Sequence, residues 1–255
     1  MRGDSASRMN KYYYDLHIHS CLSPCGDDDM TPNNIAGMAA LNGLNIVALT
    51  DHNSCKNCPA FFEACKKQGI IPIAGMELSS AEDIHFVCLF PELEQAMEFD
   101  KVIEQHLPDI QNRPEIFGNQ QILDGEDEQI GEENKLLVTA TDLWAADAIA
   151  LARSYGAHVR PAHIDRTSNG MIAILGDVPE DYNFNFVEFR DRANIEGYFE
   201  KYPSLRGAST LVCSDAHHLW DINEAENFFM IDDEPYSSAN VRRKLFEILA
   251  AEKQV

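Results

Sequence analysis

The sequence predicts an α/β fold, a parallel sheet with crossover helices that is either an open doubly wound sheet or, the better reading, a closed TIM-like barrel, carrying an inserted helix and hairpin, and three observations lead there. Short apolar runs alternate with segments of helical periodicity along most of the 255 residues, the pattern of parallel strands joined by crossover helices. A chain of this length has room for about seven or eight such units in one domain, here residues 1–255. Side chains able to bind metals recur at the ends of the strand-like runs, where parallel barrels assemble their functional groups.

The opening MRGDSASRMN, residues 1–10, is polar and reads as a loose leader. YYYDLHIH follows as a strand, MTPNNIAGMAALNGL as a helix opened by Thr31 and Pro32, and NIVALTDHN as a second strand. CPAFFEACKKQG reads as a helix ending near Gly69, and IIPIAGMELSS and IHFVCLF as two further strands. The stretch from about 91 to 141 breaks the rhythm: ELEQAMEFDKVIEQHL is an amphipathic helix, and Asp124–Gly125 within an acidic run marks a hairpin turn. It reads as an insertion covering one face, its acids a solvated surface. LWAADAIALARSYG is then a helix capped by Thr141 or Asp142, followed by strands in AHVRPAHID, FVEFRD and STLVCSDAHH.

Composition narrows the function classes. No apolar run approaches the roughly 18 residues that span a bilayer, so no membrane partner is expected. The formal charge of −22 repels nucleic acid unless bound cations neutralise the acids locally, and no basic-aromatic stretch offers to track a strand. Long nucleic acid is therefore disfavoured as a partner. Seven cysteines, an odd number without a signal peptide, fit a reducing, cytoplasmic setting. The sequence carries no marker of oligomeric state.

His17, His19, His52, Glu77, His85, His163, Asp215 and His217 all lie in or just beyond strand-like runs. Any one histidine is more often a hydrogen-bonded structural residue than a ligand. The pairs are more specific, because alternate residues of a strand face the same way, so His17 with His19, and Asp215 with His217, can meet one ion. Gathering six of nine histidines in one cleft would be costly without bound cations. Mixed nitrogen and carboxylate donors suit manganese, zinc or iron, with magnesium admitted, rather than calcium. The donors exceed the needs of one ion, and a cluster of about two or three divalent metals is the natural count. Cys21 and Cys25 follow the first strand as Cys55 and Cys58 follow the second, so the four thiols are either reduced packing residues or a structural zinc or redox site.

In order and spacing, DLHIHS at 15–20, LTDHN at 49–53, GMELS at 75–79, IHFVCLF at 84–90, PAHIDR at 161–166 and SDAHH at 214–218 resemble the PHP superfamily, named for polymerase and histidinol phosphatase. The resemblance implies a distorted (β/α)7 barrel and a di- or trinuclear centre that hydrolyses phosphate esters. Carried over, His17, His19, Glu77 and Asp215 hold one ion. His52, His217 and an acid after the first strand hold a second, and Glu77, His85 and His163 a third. The family places its acid soon after the HxH pair, whereas SCLSPCGDDD delays it; Asp27 is the expected ligand, with Asp28, Asp29 and Cys25 as alternatives.

The expected chemistry is attack by a metal-bound hydroxide on phosphorus held in line by the ions. Asp215 or His217 assists proton transfer, and Arg166, with Arg190 a second candidate, pairs with the phosphate through its planar fork. The leading expectation for the substrate is a small phosphorylated metabolite or nucleotide. Its alternative is exonucleolytic trimming of short oligonucleotides, and a third reading is a non-hydrolytic metal sensor or accessory domain.

Overall fold

The computed structural model describes residues 9–251. The chain opens with β1 (Met9–Ile18), so Met9 and Asn10, expected in the leader, pair with Asp232 and Ile231; the rest of that leader lies outside the described residues. Then come α1 (Pro32–Leu41), β2 (Ile46–Leu49), α2 (Cys58–Gln68), β3 (Ile71–Ser79) and β4 (His85–Phe90). The expected helix forms as α3 (Leu93–His106), followed by a short α4 (Pro114–Phe117) and the hairpin β5 (Gln121–Leu123) and β6 (Gln129–Glu132). The chain continues with α5 (Ala145–Ser154), β7 (His158–Pro161), α6 (Met171–Leu175), β8 (Phe186–Phe189) and α7 (Ile195–Lys201). It ends with β9 (Ser209–Val212), β10 (Phe228–Asp232) and α8 (Ser238–Ala250).

Local signals explain several boundaries. Thr31 caps α1 by accepting a hydrogen bond from the Asn34 amide, with Pro32 in the first turn. Gly69 ends α2 in the left-handed conformation at φ 71°. The expected cap of α5 differs. Trp144 occupies the cap position, and the carboxylate of Glu82, from the turn between β3 and β4, accepts from the Ala145 amide at 3.0 and 3.1 Å. Thr141 is occupied instead with the Ser79 carbonyl, and Asp142 with His106.

The architecture is mixed α/β, built on a curled six-stranded sheet in the order β10-β1-β2-β3-β4-β7, with β8 and β9 as a separate parallel pair. β1, β2 and β3 run parallel, as expected, but β4 is antiparallel to both β3 and β7. The reason is the connection: only residues 80–84 separate β3 from β4, too few for the crossover that a parallel neighbour requires. Ile18 bridges Ala216, and the Ile164 amide donates to the Glu188 carbonyl, so the β8–β9 pair lies between the ends of β7 and β1.

Two apolar layers hold the sheet. Leu16, Ala48, Ile73, Val87, Leu89 and Leu211 cluster with Val241, Leu245 and Leu249 of α8. The larger cluster joins Val47, Leu49, Met76 and Phe90 to Ile35 of α1, Phe61 of α2 and Phe99 and Ile103 of α3. α3 lays its apolar stripe into this core and turns its opposite face outward. Among the described residues no helix is long and apolar enough to cross a membrane.

Candidate metal centre

The expected donors converge where β1, β2, β3 and β7 end, together with the start of β4 and the turn after β9. A register irregularity in β1–β2 pairing between Asp15 and Ile18 falls where His17 emerges, and such irregularities re-aim side chains. His163 and Asp215 adopt positive φ, 29° and 52°, conformations that non-glycine residues hold only when surroundings impose them. Both follow a strand directly involved in the site.

Glu77 is the hub. Its Oε1 lies 2.9 Å from His85 Nδ1, 2.9 Å from His163 Nε2 and 3.4 Å from His17 Nε2. Its Oε2 lies 3.2 Å from His19 Nε2 and 3.1 Å from His52 Nδ1. Asp215 Oδ1 adds contacts of 3.2 Å to His19 Nε2 and 3.5 Å to His17 Nε2. Three groups are compact enough to hold an ion: His17, His19, Glu77 and Asp215; His19, His52 and His217; and His52, Glu77 and His85. His163 reaches the cluster through Glu77.

Asp27 is not brought to these groups. Its amide donates to the His217 carbonyl, and its carboxylate turns to the Asp29 amide at 2.9 Å and to His218 Nδ1 at 3.4 Å. Asp28 accepts from Asn119 and Gln121 of the hairpin region. The four-thiol site is not formed either: no cysteine joins a metal-competent group among the described residues. Cys55 Sγ instead donates to the Gly75 carbonyl at 3.2 Å, and burial pushes its thiol well above the usual range. Arg166 donates to Asp215 Oδ2 at 2.8 Å, and Arg190 Nε lies 3.9 Å from the same oxygen.

Behind the donors stands a polar layer that sequence reasoning missed. Glu188 of β8 accepts from His17 Nδ1 at 2.6 Å, while Arg160 of β7 donates to its other oxygen from Nε at 2.9 Å and Nη2 at 2.7 Å. Both residues are fully buried. Burial disfavours a charged Glu188, but the charges of His17 and Arg160 prevail and hold it down to about 2. His19 Nδ1 meets Ser23 Oγ at 3.2 Å, which itself donates to Asp51 at 2.7 Å. A glutamate and an arginine inside apolar strands, FVEF and HVRP, were the available signal, since buried charges are paired.

These contacts test whether metal fits. With Nδ1 of His17 and His19 donating outward, both Nε2 atoms turn lone pairs inward, 3.2 Å apart. Either a shared cation or a proton on one of the two rings relieves that approach. Glu77 Oε2, His52 Nδ1 and His163 Nδ1 are buried without a hydrogen-bond partner, an arrangement that native interiors avoid. Burial opposes protonation of His19, yet the carboxylates of Asp215 and Glu77 beside it push it up to about 9, and burial lowers His217 to about 4. The donor set fits divalent ions.

The PHP domain family profile matches residues 15–179, well over half of the chain. The chain belongs to the PHP family. The matched span includes His17, His19, His52, Glu77, His85, His163 and Arg166, whereas Asp215 and His217 lie beyond it and meet the histidine cluster in the folded structure. A 5'-3' exoribonuclease from Haemophilus influenzae is 30% identical over 121 residues, covering 44% of this chain and 43% of its own length. Endonuclease Q from Pyrococcus furiosus superposes with a TM-score of 0.57 at 20% identity, over 82% of this chain and 49% of that one. A proposed metal-dependent phosphoesterase from Bifidobacterium adolescentis has a TM-score of 0.58 at 17% identity, over 94% of this chain and 97% of its own. The PHP chain described here thus spans about half the length of endonuclease Q and less than half that of the exoribonuclease.

These likenesses correct the expectation that long nucleic acid is disfavoured. Endonuclease Q, of the same fold, is seen with a 27-mer duplex, at a TM-score of 0.55 and 20% identity, and the Haemophilus relative is an exoribonuclease. Net charge is a poor guide because salt screens exposed charges beyond about 8–10 Å. The charge beside this centre is local: Arg166 and Arg190 both lie against Asp215, next to a donor set suited to cations.

Proposed function

We propose that the protein is a metal-dependent phosphoesterase acting on nucleotides or on the ends of oligonucleotides. The observation that carries this reading is the sharing of Glu77 and His19 among overlapping donor groups, with two guanidiniums beside Asp215. Adjacent ions served by common ligands suit in-line displacement at phosphorus better than a single structural site does. His17, His19, Glu77 and Asp215 would hold one ion, His19, His52 and His217 another, and His52, Glu77 and His85 a third.

When bound there, divalent ions activate water, polarise the phosphoryl oxygens and stabilise the leaving oxygen. The chain's own groups bind and orient. Arg166 and Arg190, half exposed at the mouth, are placed to exchange the Asp215 carboxylate for a phosphate oxygen, and a planar fork fixes its direction. His217 Nδ1 donates to the Asp215 carbonyl at 2.8 Å, which orients the ring and leaves Nε2 unprotonated near neutral pH. The buried walls formed by His17, His19 and Glu77 exclude bulk water from the inner side.

The nucleotide reading draws on the exoribonuclease relative. A small phosphorylated metabolite is the competing substrate, because the same donors and arginines would address any phosphate ester. Protein of measured metal content, assayed on p-nitrophenyl phosphate, phosphorylated metabolites and single-stranded oligonucleotides with added manganese, separates them. Release of terminal nucleotides is the expected result. Turnover confined to metabolites would replace the substrate class, and no turnover by metal-replete protein would favour a sensor.

A further inference from the structure

Both tryptophans of this chain are exposed, Trp144 at 62% and Trp220 at 77%. Phe61, Phe86, Phe90, Phe99 and Phe189, by contrast, are fully buried. An indole left in water adds little to the core, so packing does not account for Trp220. Its position does. Trp220 sits in the short turn Leu219–Asp221, three residues beyond the donor His217.

The indole lies flat on the imidazole of His218, with ring centroids 4.7 Å apart and planes only 5° from parallel. His218 Nδ1 is 3.4 Å from Asp27 Oδ2, and the Asp27 amide donates to the His217 carbonyl. The His217 ring stacks in turn on His19, at 4.3 Å and 24°. One aromatic pair therefore belongs to the donor groups, and a second is fastened to it by the next residue and by the loop that follows β1. The placement also gives Asp27 a use other than ligation: it steadies the outer pair.

We propose that Trp220, backed by His218, is a stacking platform for a nucleobase of the substrate, so that the centre takes nucleotides and single-stranded oligonucleotides in preference to base-free phosphate esters. This rests on the hydrolytic reading above and supplies its specificity. One indole face is covered by His218 and the residue remains largely open, as a ring awaiting a planar partner would be. Arg166 and Arg190 supply positive charge at Asp215 for the phosphate, and a base on an aromatic face with its phosphate on cations is how sequence-tolerant single-strand binding works. Trp220 acts as a specificity-determining residue and takes no part in bond breaking.

Trp144→Phe leaves Trp220 as the only indole, which gives a direct readout. Titrating that full-length, metal-loaded variant with a short single-stranded oligonucleotide should quench the Trp220 fluorescence in step with binding. In the otherwise native chain, Trp220→Ala should lower kcat/KM for the oligonucleotide about tenfold relative to that for p-nitrophenyl phosphate, through KM, with Trp220→Phe recovering most of the loss. Binding without quenching, or an unchanged ratio between the two substrates in Trp220→Ala, would overturn the platform while leaving the hydrolase reading intact. If metal-replete wild-type protein cleaves neither substrate, the hydrolytic reading fails, and the fluorescence titration still decides whether a base stacks there.

Discussion

Glu77 meets five imidazoles, those of His17, His19, His52, His85 and His163, and their charges overcome burial to hold its carboxyl well below the usual range. If ions bind as proposed, removing a shared donor should disturb more than one of them. His19→Ala or Asp215→Ala is expected to abolish hydrolysis and to lower bound metal, read by elemental analysis after dialysis; full activity in either variant would contradict the site. Glu188 acts one step back, fixing the His17 tautomer through Nδ1. Glu188→Ala should weaken metal binding about 10–100-fold in a chelator competition. It should also destabilise the fold by about 3–5 kcal/mol in denaturant titrations, because Arg160 is left buried without its counter-charge. Most members of the candidate cluster were legible in the sequence because histidines and acids at strand exits are costly without a purpose. Asp27 misled because its neighbours along the chain say nothing of the Asp29 amide and His218 that its carboxylate meets. Glu188 and Arg160 went unread because their pairing joins two strands far apart in sequence.

Elements whose boundaries rest on local chemistry were read correctly, and those that rest on tertiary partners were not. Thr31, Pro32 and Gly69 announce the ends of α1 and α2. α5 is capped across space by Glu82, which no window of sequence around residue 145 contains. Glu82→Ala should thus cost about 0.5–2 kcal/mol of stability in equilibrium unfolding, the usual worth of a cap, and Asp142→Ala should leave α5 unaffected. The antiparallel direction of β4 was hidden for the same reason: periodicity marks a strand but not its neighbour's direction, and only the short 80–84 connection fixes it. α3 carries the amphipathic pattern expected of it, yet its apolar stripe of Ala96, Phe99 and Ile103 enters the main core.

At the scale of the molecule, pH acts on the fold and on the centre separately. His158 is held down to about 3 by burial, with the charges of Arg160 and Arg153 adding to it. In the unfolded chain an imidazole titrates near 6.5, so the unfolded state takes the proton first. The stability tied to a neutral His158 is complete above about pH 6.5 and is lost as pH falls toward 3; His158→Leu should flatten that part of the acid slope in denaturant midpoints measured across the range. Metal should be lost over an acid range of its own, because imidazole ligands must be deprotonated to bind. The overall charge, which pointed away from nucleic acid, describes the whole surface, whereas the proposed chemistry depends on the few groups around Glu77. The metal content of the full chain, measured at neutral pH and again after Glu77→Ala, tests the central claim most directly. The native protein should hold more than one divalent ion per chain, and the variant should lose more than one. A native chain that holds none from a manganese- or zinc-supplemented solution, or a variant that keeps its full complement, would contradict that claim.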